Sequence, residues 1–490
     1  MIFFFNKHVF KNRLSCVDWN VICVSDDIDV SYNSFIKKFN SLYDDCFPKK
    51  RLKPSGVKNK PKSPWITSAL MKCIRKKNLL YKKSLKKPTD SNVKKYKIYR
   101  NKLNMLLRLA KKNYFSRMLE KEKHNMRNTW QVLNSILKSS KKPISSRFIK
   151  NGKTLITEPK EIANEFNSYF ANIGPTLADS IKHTGKDFNS YLSKSHFSAT
   201  CFLRPTDVDE ILQIIGNLGN RKSPGHDNIK SDIVKTVVHE ISYPLMILIN
   251  RSLSTGKVPN DMKKAKVIPI YKKDNPEEFG NYRPVSVLPT FSKILERIVH
   301  NRCYSFLVKH NILYQKQYGF RNKHTTYMAV LDFVKNISDA IDNDKVTLGI
   351  FMDLSKAFDT IDHNILLNKL YHYGFRGISH AWFSDYLSNR TQYVQYKNVV
   401  SSNENVTCGV PQGSILGPLL FILYMNDISF TSKLLSFVLF ADDTTVYLSD
   451  KNVNALYDTM NSELHEVSNW FKCNKLSLNA TKTNLMLNKH

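Results

Sequence analysis

The sequence predicts a large α/β or α+β body in the C-terminal two-thirds of the chain, preceded by a basic α-helical region. Two patterns favour this fold. After Thr206, apolar runs typical of strands alternate with helical patterns to the end of the chain. Between Trp65 and Leu137, apolar residues recur at helical spacing while lysines cover the other faces, which indicates two or three long helices. With 490 residues, the chain is long enough for two or three domains.

The positive charge of the chain is concentrated in one segment. The chain carries 75 Lys and Arg against 41 Asp and Glu, a net charge of +34. Residues 49–150 hold 32 of the basic residues and three acidic ones, a net charge of +29, whereas residues 151–490 carry only +6. Such a segment collects polyanions, so we expect nucleic acid as its partner. There are two alternatives: the lysines form a solvated charged face of a helical hairpin, or the partner is an anionic membrane surface.

Changes in composition divide the chain into five segments. Residues 1–48 contain a short β-like run at residues 21–24 and a helical pattern at residues 32–42, and a Lys/Pro-rich linker follows them. The remaining four are the basic helical region 49–150, a polar connector 151–206 around one helix, and the two parts of the body, 207–340 and 341–490.

Cysteine spacing and hydropathy bear on the cellular compartment. The eight cysteines include no C-x-x-C pair and no zinc-finger spacing, so we expect reduced thiols in an intracellular protein. The longest apolar stretch, residues 415–425, is too short to span a bilayer and contains Gly417-Pro418. The sequence therefore predicts no membrane segment, and we expect the chain to act in the cytoplasm and nucleus.

Carboxylates at the ends of apolar strands are the strongest chemical signal. Asp353 ends the run TLGIFM, before a segment (SKAFDTIDHNILLNKL) that we expect to be helical. Asp442 and Asp443 lie between two apolar runs, which predicts a hairpin with both acids at its tip. Partly buried acids are costly unless a cation neutralises them, and a pair of divalent cations does so in phosphoryl and nucleotidyl transfer. Taken alone, Asp442-Asp443 is more typical of a solvated turn.

Seven segments in a fixed order complete the pattern, and the chain resembles the reverse transcriptase of LINE-type (non-LTR) retrotransposons of the jockey kind. The segments are distributed over roughly residues 207–490 and are RKSPGHDNI at 221–229, the run at 266–299 that includes NYRPVS, QYGFRNKHTT at 317–326, GIFMDLSKAFDTIDH at 349–363, GVPQGSILGP at 409–418 and its continuation to 428, FADDTTVY at 440–447, and LSLNATKTNLM at 476–486. The segment from Trp65 also resembles the basic region in front of the polymerase in such elements.

The resemblance implies a right-hand polymerase with an antiparallel palm sheet. Residues 207–340 are then the fingers and residues 341–490 the palm. It also implies RNA-directed DNA synthesis, in which dNTPs are added to a DNA primer on an RNA template. Asp353, Asp442 and Asp443 are expected to hold two Mg²⁺ ions, with Mn²⁺ as a substitute.

The same resemblance assigns roles around the incoming nucleotide. Phe358 is expected to lie under the sugar and exclude a 2′-hydroxyl, although a Phe at this place is otherwise typical of core packing. Gln412 and Gly413 are expected to contact the nascent base pair. Three basic side chains of the fingers are expected to neutralise the triphosphate, namely Arg283, Lys266 and Lys272. Lys482 matches the lysine proposed to protonate the departing pyrophosphate.

The sequence departs from the family at both ends. We expect residues 1–48 to be a remnant after a lost endonuclease, and the chain to stop before a thumb, so that processive synthesis is in question. Phe440 also replaces a tyrosine common in other reverse transcriptases. Two alternatives are an RNA-dependent RNA polymerase, against which Phe358 argues, and a non-catalytic nucleic-acid-binding remnant of such an element.

Overall fold

A computed structural model describes residues 2–23, 25–48, 63–137, 147–150, 154–182, 184–192, 197–220 and 222–488. The predicted Lys/Pro-rich linker, and Arg221 of the first matching segment, lie outside these residues. The contacts divide the chain into two compact units. One unit contains residues 1–48 together with 144–490, and the other contains residues 49–143.

Helices account for most of the secondary structure in the described residues. In chain order they are α1 (Ile2–Ser15), α2 (Ile28–Cys46), α3 (Ser68–Lys86), α4 (Asp90–Glu122), α5 (Met126–Leu137), α6 (Pro159–Asp179), α7 (Val208–Gly216), α8 (Ser231–Thr236), α9 (Val238–Thr255), α10 (Asn260–Lys263), α11 (Thr290–Lys309), α12 (Thr326–Asp342), α13 (His363–His372), α14 (Ile378–Leu387), α15 (Gly417–Tyr424) and α16 (Val453–Cys473). Short 3₁₀ turns cover Trp19–Ile22, Phe188–Tyr191, Phe279–Asn281, Ile428–Thr431 and Ala480–Lys482.

The strands form three sheets. They are β1 (Phe148–Lys150), β2 (Thr154–Ile156), β3 (Ala265–Tyr271), β4 (Tyr282–Val287), β5 (Val346–Met352), β6 (Arg390–Tyr396), β7 (Val399–Val400), β8 (Glu404–Val406), β9 (Ser436–Phe440), β10 (Asp443–Asp450) and β11 (Asn484–Asn488). The mixed helix and strand composition predicted for the body is confirmed.

An antiparallel sheet of order β11-β5-β10-β9 forms the base of the body. Its central strands are apolar because both faces are covered: Leu348, Ile350 and Met352 of β5 are buried in the main core. The other face packs against α12, where the Phe333 ring meets Phe351 edge-on with 5.7 Å between ring centroids. This burial holds the loops at the ends of β5 and β10 in fixed positions.

A second sheet has the order β4-β3-β6-β7, with β8 also paired to β6. Strand β3 runs antiparallel to β4 and parallel to β6. One face is covered by α6, whose Phe166 packs edge-on against Tyr282 of β4 at 5.0 Å between centroids. Burying such rings stabilises this layer, since replacing one buried Phe by Ala costs about 3–5 kcal/mol.

Residues 1–48 are built into the core of the first unit. Helix α2 begins at an Asp27 cap and buries Phe35 and Phe39, and both rings pack edge-on against Phe291 of α11. The Arg251 side chain of α9 donates hydrogen bonds to the carbonyls of Ile22 and Ser25. The β-like run expected at residues 21–24 is wrong, since Trp19–Ile22 forms a 3₁₀ turn capped by Asp18.

The second unit is a basic helical assembly, and α3, α4 and α5 agree with the predicted long helices. Its described part, residues 63–137, carries 20 Lys and Arg and three acidic residues. Aromatic side chains are interleaved with these cations: Lys111 Nζ lies 5.4 Å from the centroid of the Trp65 ring, and the Arg100 guanidinium lies 5.7 Å from that of Tyr96.

The helices and the cysteines bear on the predictions made from hydropathy and cysteine spacing. Among the described residues, no helix is both long and apolar enough to cross a bilayer. All eight cysteines are free thiols.

Candidate active site

Three carboxylates lie near one another at one end of the first sheet. Strands β5 and β10 are antiparallel, and their last paired positions are Met352 and Thr444. Asp353 follows Met352 and Asp443 precedes Thr444, so the two acids lie just beyond the last paired positions, at the same end of the two strands. Asp442 lies beside Asp443 in the hairpin turn, and the negative charges of Asp442 and Asp353 both act on Asp443. Residues 89 positions apart in sequence are thus brought together.

The turn that carries Asp442 is held by a buried amide. Ala441 has a left-handed backbone with a φ of 58°. Its backbone N–H donates to Oε1 of Gln317 at 3.1 Å, and the same oxygen accepts from the N–H of Gly319 at 2.8 Å. A Cβ at Gly319 would lie 2.1 Å from the Ala441 nitrogen, so only glycine allows this approach. The segment QYGF therefore shapes the acidic turn.

Asp353 is bonded to the segment that precedes β11. Nζ of Lys482 donates to its Oδ2 at 2.9 Å, and Nδ2 of Asn479 donates to the same oxygen at 3.4 Å. The backbone N–H of Asn479 also donates to the Asp353 carbonyl at 2.8 Å. Lys482 therefore lies at the acids and supplies a positive charge to one of them.

The carboxylates fit a divalent cation by donor chemistry and by charge. Burial, together with the negative charges of Asp442 and Asp353, raises the pKa of Asp443 above its usual range. Such crowding of like charges favours a bound cation, and oxygen donors suit Mg²⁺. Within the described residues, no three His, Cys, Asp or Glu side chains stand close enough together to enclose a metal ion as they are. Lys482 is the cation that Asp353 contacts.

An open cleft of about 460 Å³ lies over these acids. Most of the predicted site residues line it, namely Lys272, Arg283, Asp353, Phe358, Gln412, Asp442 and Lys482. Arg283 is an exposed residue of β4, paired across the ladder with Ile270, and Lys272 directly follows β3. Burial and the neighbouring Arg283 and Lys482 lower the pKa of Lys272. The cleft is thus lined by both acids and cations, and one of the cations, Lys482, is bonded to Asp353.

Three predicted site residues, Asp443, Lys266 and Gly413, lie outside the lining of this cleft. Lys266 is near the opposite end of β3 from Lys272, and six residues of strand span about 20 Å. It is buried beside Asp227, and burial lowers its pKa. Gly413 lines a different cavity, with Lys293 and Arg297. Its φ is 136°, and a Cβ there would lie 2.4 Å from the Ser286 carbonyl oxygen, so the close backbone approach expected of it is present.

Phe358 lies on a turn, and the helix expected directly after Asp353 is wrong. Residues 355–359 form turns, and α13 begins only at His363, capped by Asp362. Lys356 has a left-handed backbone with a φ of 52°, which a helix does not allow. The Phe358 ring stacks on Phe421 with 4.8 Å between centroids and an angle of 17°, and one side of it lines the cleft. Packing and ligand contact are therefore both available to this ring.

The loop of Gln412 is joined to the turn of Phe358. The N–H of Val410 donates to the Phe358 carbonyl at 2.9 Å. Nε2 of Gln412 donates to both carboxylate oxygens of Asp359, each at 2.9 Å. Burial raises the pKa of Asp359 to about 6, while the Gln412 hydrogen bond and Lys356 lower it in part.

Comparison with known proteins identifies the domain that contains this site. Residues 270–490 match the family model described as reverse transcriptase (RNA-dependent DNA polymerase). This stretch contains the three acids, the turn of Phe358 and the loop of Gln412. Residues 270–490 form a reverse transcriptase domain.

Three curated relatives of this reverse transcriptase domain come from the fruit fly. The chain is 31% identical over 290 residues to the probable RNA-directed DNA polymerase from transposon BS of Drosophila melanogaster, 29% over 291 residues to that from transposon X-element, and 28% over 297 residues to the RNA-directed DNA polymerase from mobile element jockey. These alignments cover 57%, 58% and 59% of this chain, and 32% of each relative. The chain spans about a third of the length of these relatives.

Several residues of the reverse transcriptase domain that support the site were not singled out from the sequence. They are Gln317, Lys356, Asp359 and Asn479. Nζ of Lys356 donates to the Gly280 carbonyl at 2.8 Å and to that of Tyr282 in β4 at 3.4 Å, which ties the Phe358 turn to the second sheet. The matching motifs contain all four residues, but their partners lie on other elements, so no local pattern marks the contact.

Proposed function

We propose that the chain is an RNA-directed DNA polymerase of a non-LTR retrotransposon, which adds dNTPs to a DNA primer on an RNA template. The observation that carries this proposal is the cluster of Asp353, Asp442 and Asp443 at one end of the sheet, two of which, Asp353 and Asp442, line a cleft that cationic side chains also line. The match of residues 270–490 to the reverse transcriptase family supports it.

In this proposal the body is the fingers and palm of a right-hand polymerase. The antiparallel sheet β11-β5-β10-β9 is the palm, since it carries the three acids. The sheet containing β3 and β4 belongs to the fingers, because its Arg283 and the adjacent Lys272 reach the cleft from the opposite side. The boundary is placed near residue 340, before β5.

Asp353, Asp442 and Asp443 would hold two Mg²⁺, or Mn²⁺, which when bound activate the primer 3′-hydroxyl and grip the triphosphate. Lys272 and Arg283 neutralise phosphate oxygens, Arg283 through its forked donors. Lys482 is placed to give a proton to the departing pyrophosphate, since its ammonium lies at Asp353. Phe358 excludes a ribose 2′-hydroxyl by contact, and Gln412 contacts the nascent base pair from its loop.

The basic helical unit is proposed to bind the RNA. Its 20 cations against three acids in residues 63–137, and the rings of Trp65 and Tyr96 among them, suit a backbone contact with stacking of unpaired bases. This unit also supports the second candidate function, a nucleic-acid-binding protein without catalysis. The whole chain, in either case, would work where the element RNA is found, in the cytoplasm and nucleus.

Primer extension distinguishes the two functions. The full chain is incubated with a DNA primer annealed to homopolymer RNA, dNTPs and Mg²⁺, and extension is followed by product length. Extension that depends on Mg²⁺ and requires Asp442 supports the polymerase. RNA binding without extension, by a chain that is folded by circular dichroism, supports the second function.

A further inference from the structure

Two carboxylates hold the loop that carries Gln412. The first, Asp359, lies in the turn after Phe358 and accepts from Nε2 of Gln412 with both oxygens, each at 2.9 Å. Because the amide nitrogen is used in this way, the amide oxygen of Gln412 is left to accept a hydrogen bond from a ligand in the cleft.

The second carboxylate is Glu296 of α11, which is 1% exposed. Its Oε2 accepts from the backbone N–H of Ile415 at 2.6 Å, and its Oε1 accepts from the Tyr386 hydroxyl at 2.8 Å. Ile415 lies three residues after Gln412, in the same loop. Glu296 therefore binds the backbone of this short segment, and Asp359 binds its Gln412 side chain.

The third side of the loop is closed by strand β4. The N–H of Ser286 donates to the Gln412 carbonyl at 2.9 Å. Gly413, with its φ of 136°, brings the backbone so close to Ser286 that a Cβ would not fit. Hydrogen bonds to β4 and α11 therefore fix the loop backbone. The Gln412 side chain can still rotate, and its hydrogen bonds to Asp359 restrict that rotation.

A buried carboxylate contributes little net stability to a fold, because its desolvation costs free energy. Removing Glu296 from water is unfavourable, and an apolar side chain of similar volume often stabilises a core as well or better. A charged acceptor makes shorter and stronger hydrogen bonds than a neutral one, which fixes its donors more tightly. Two such acceptors bind one loop of seven residues, Pro411 to Gly417. We infer that their function is to fix the geometry of this loop.

We propose that Asp359 and Glu296 are positioning residues for nucleotide binding: Asp359 fixes the side-chain amide of Gln412, and Glu296 fixes the backbone of its loop. This inference rests on the proposed polymerase function for its kinetic consequence. Neither residue contacts substrate in it, and both act through Gln412.

The kinetic test uses the full chain with three variants. Asp359→Asn and Glu296→Gln keep the size of each side chain but weaken its acceptors. We expect KM for dNTP to rise about ten-fold in Asp359→Asn and several-fold in Glu296→Gln, with kcat changed less than about three-fold, because a misplaced Gln412 weakens binding. Asp385→Asn is the matched control, since Asp385 of α14 also accepts from a backbone N–H, that of Val258 at 2.8 Å, away from this loop. Its KM should stay unchanged.

Hydrogen–deuterium exchange gives a readout that needs no activity. Peptides covering residues 409–417 should exchange at least about five-fold faster in Asp359→Asn and Glu296→Gln than in the wild type, and unchanged in Asp385→Asn. The double variant Asp359→Asn with Gln412→Glu exchanges donor for acceptor and should restore slow exchange. Unchanged exchange of this loop in both single variants overturns the proposal, as does a loss of kcat at constant KM. A wild type that binds RNA but extends no primer defeats the polymerase function alone, and the exchange data then still decide the positioning role.

Discussion

Nζ of Lys482 lies 2.9 Å from Oδ2 of Asp353, so an ammonium group occupies one side of the carboxylate cluster at which we propose metal binding. The pair is partly exposed, with 41% of the lysine side chain and 30% of the aspartate side chain accessible. A pair this exposed contributes little to stability, at most about 1 kcal/mol. The pair affects the charge of the proposed metal site, because the Lys482 ammonium and a divalent cation would compete for the same Asp353 carboxylate.

Replacing Lys482 by Gln should therefore separate two effects. Loss of the competing charge lowers the Mg²⁺ concentration needed for half-maximal extension by about two- to five-fold. Loss of the proton donor lowers the maximal rate by about ten-fold or more. A Mg²⁺ titration of primer extension measures both, with Lys482→Arg, which keeps the charge, as the control. An unchanged Mg²⁺ requirement would show that Lys482 and the metal do not share Asp353.

Asp442→Asn should abolish primer extension, by at least about a thousand-fold, because it removes a charge that the metals require. The fold should persist, since Asp442 lies in a turn at the edge of the cleft. Rates of dNTP incorporation are measured for this variant and for Asp450→Asn, an acid at the far end of strand β10, which begins directly after Asp442; this control should retain activity. Activity that survives in Asp442→Asn contradicts the assignment.

Phe358→Ala should raise the use of rNTP relative to dNTP by about ten-fold or more, since the ring would no longer clash with a 2′-hydroxyl. The measurement is competitive incorporation of the two nucleotides. Phe471→Ala is the control, because Phe471 is buried in α16 and does not line the cleft. If Phe358→Ala reduces incorporation of both nucleotides equally, its contact with Phe421 is core packing and the ring is no sugar gate.

Removing three exposed cations from α4, in Lys94→Gln, Lys95→Gln and Lys97→Gln combined, should weaken RNA binding and reduce its salt dependence. Each lost phosphate contact lowers the log–log slope by about 0.7 for single-stranded RNA, so the slope should fall by up to about 2. Filter binding of the full chain between low and moderate salt gives this slope. The same number of Lys→Gln changes on the body, at Lys309, Lys335 and Lys451, should leave it unaltered; an equal loss in both sets means that only net charge matters.

Asp359 makes stability depend on pH in a direction opposite to that of most paired acids. Its pKa is raised to about 6 in the folded chain, above its value in the unfolded chain of about 4, so the folded state holds the proton more tightly. Its contribution therefore falls as pH rises from about 4 to 6 and is constant above that, a loss of about 1–3 kcal/mol. Urea denaturation of the wild type and Asp359→Asn at several pH values should show this slope in the wild type only.

Local sequence patterns accounted for the elements that hold the acids. Strand β5 and the hairpin of β9 and β10 were expected because apolar runs end at Asp353 and flank Asp442. The helix expected after Asp353 is absent, because Lys356 takes a left-handed conformation and bonds to the second sheet, which helical propensity cannot reveal. The contact of Glu296 with Ile415 joins residues 119 positions apart, and only the tertiary fold brings such partners together.

The packing of Phe35 and Phe39 on Phe291 also has a consequence for synthesis on the ribosome. The apolar face of α2 emerges early, but its partner on α11 follows about 250 residues later. At translation rates of about 5–20 residues per second, that face waits roughly 13–50 s before it can be covered. During this interval the nascent chain exposes two aromatic rings beside a stretch of positive charge. Chaperone capture of the growing chain is therefore expected at this stage, and slowing translation after residue 48 should increase aggregation of the product.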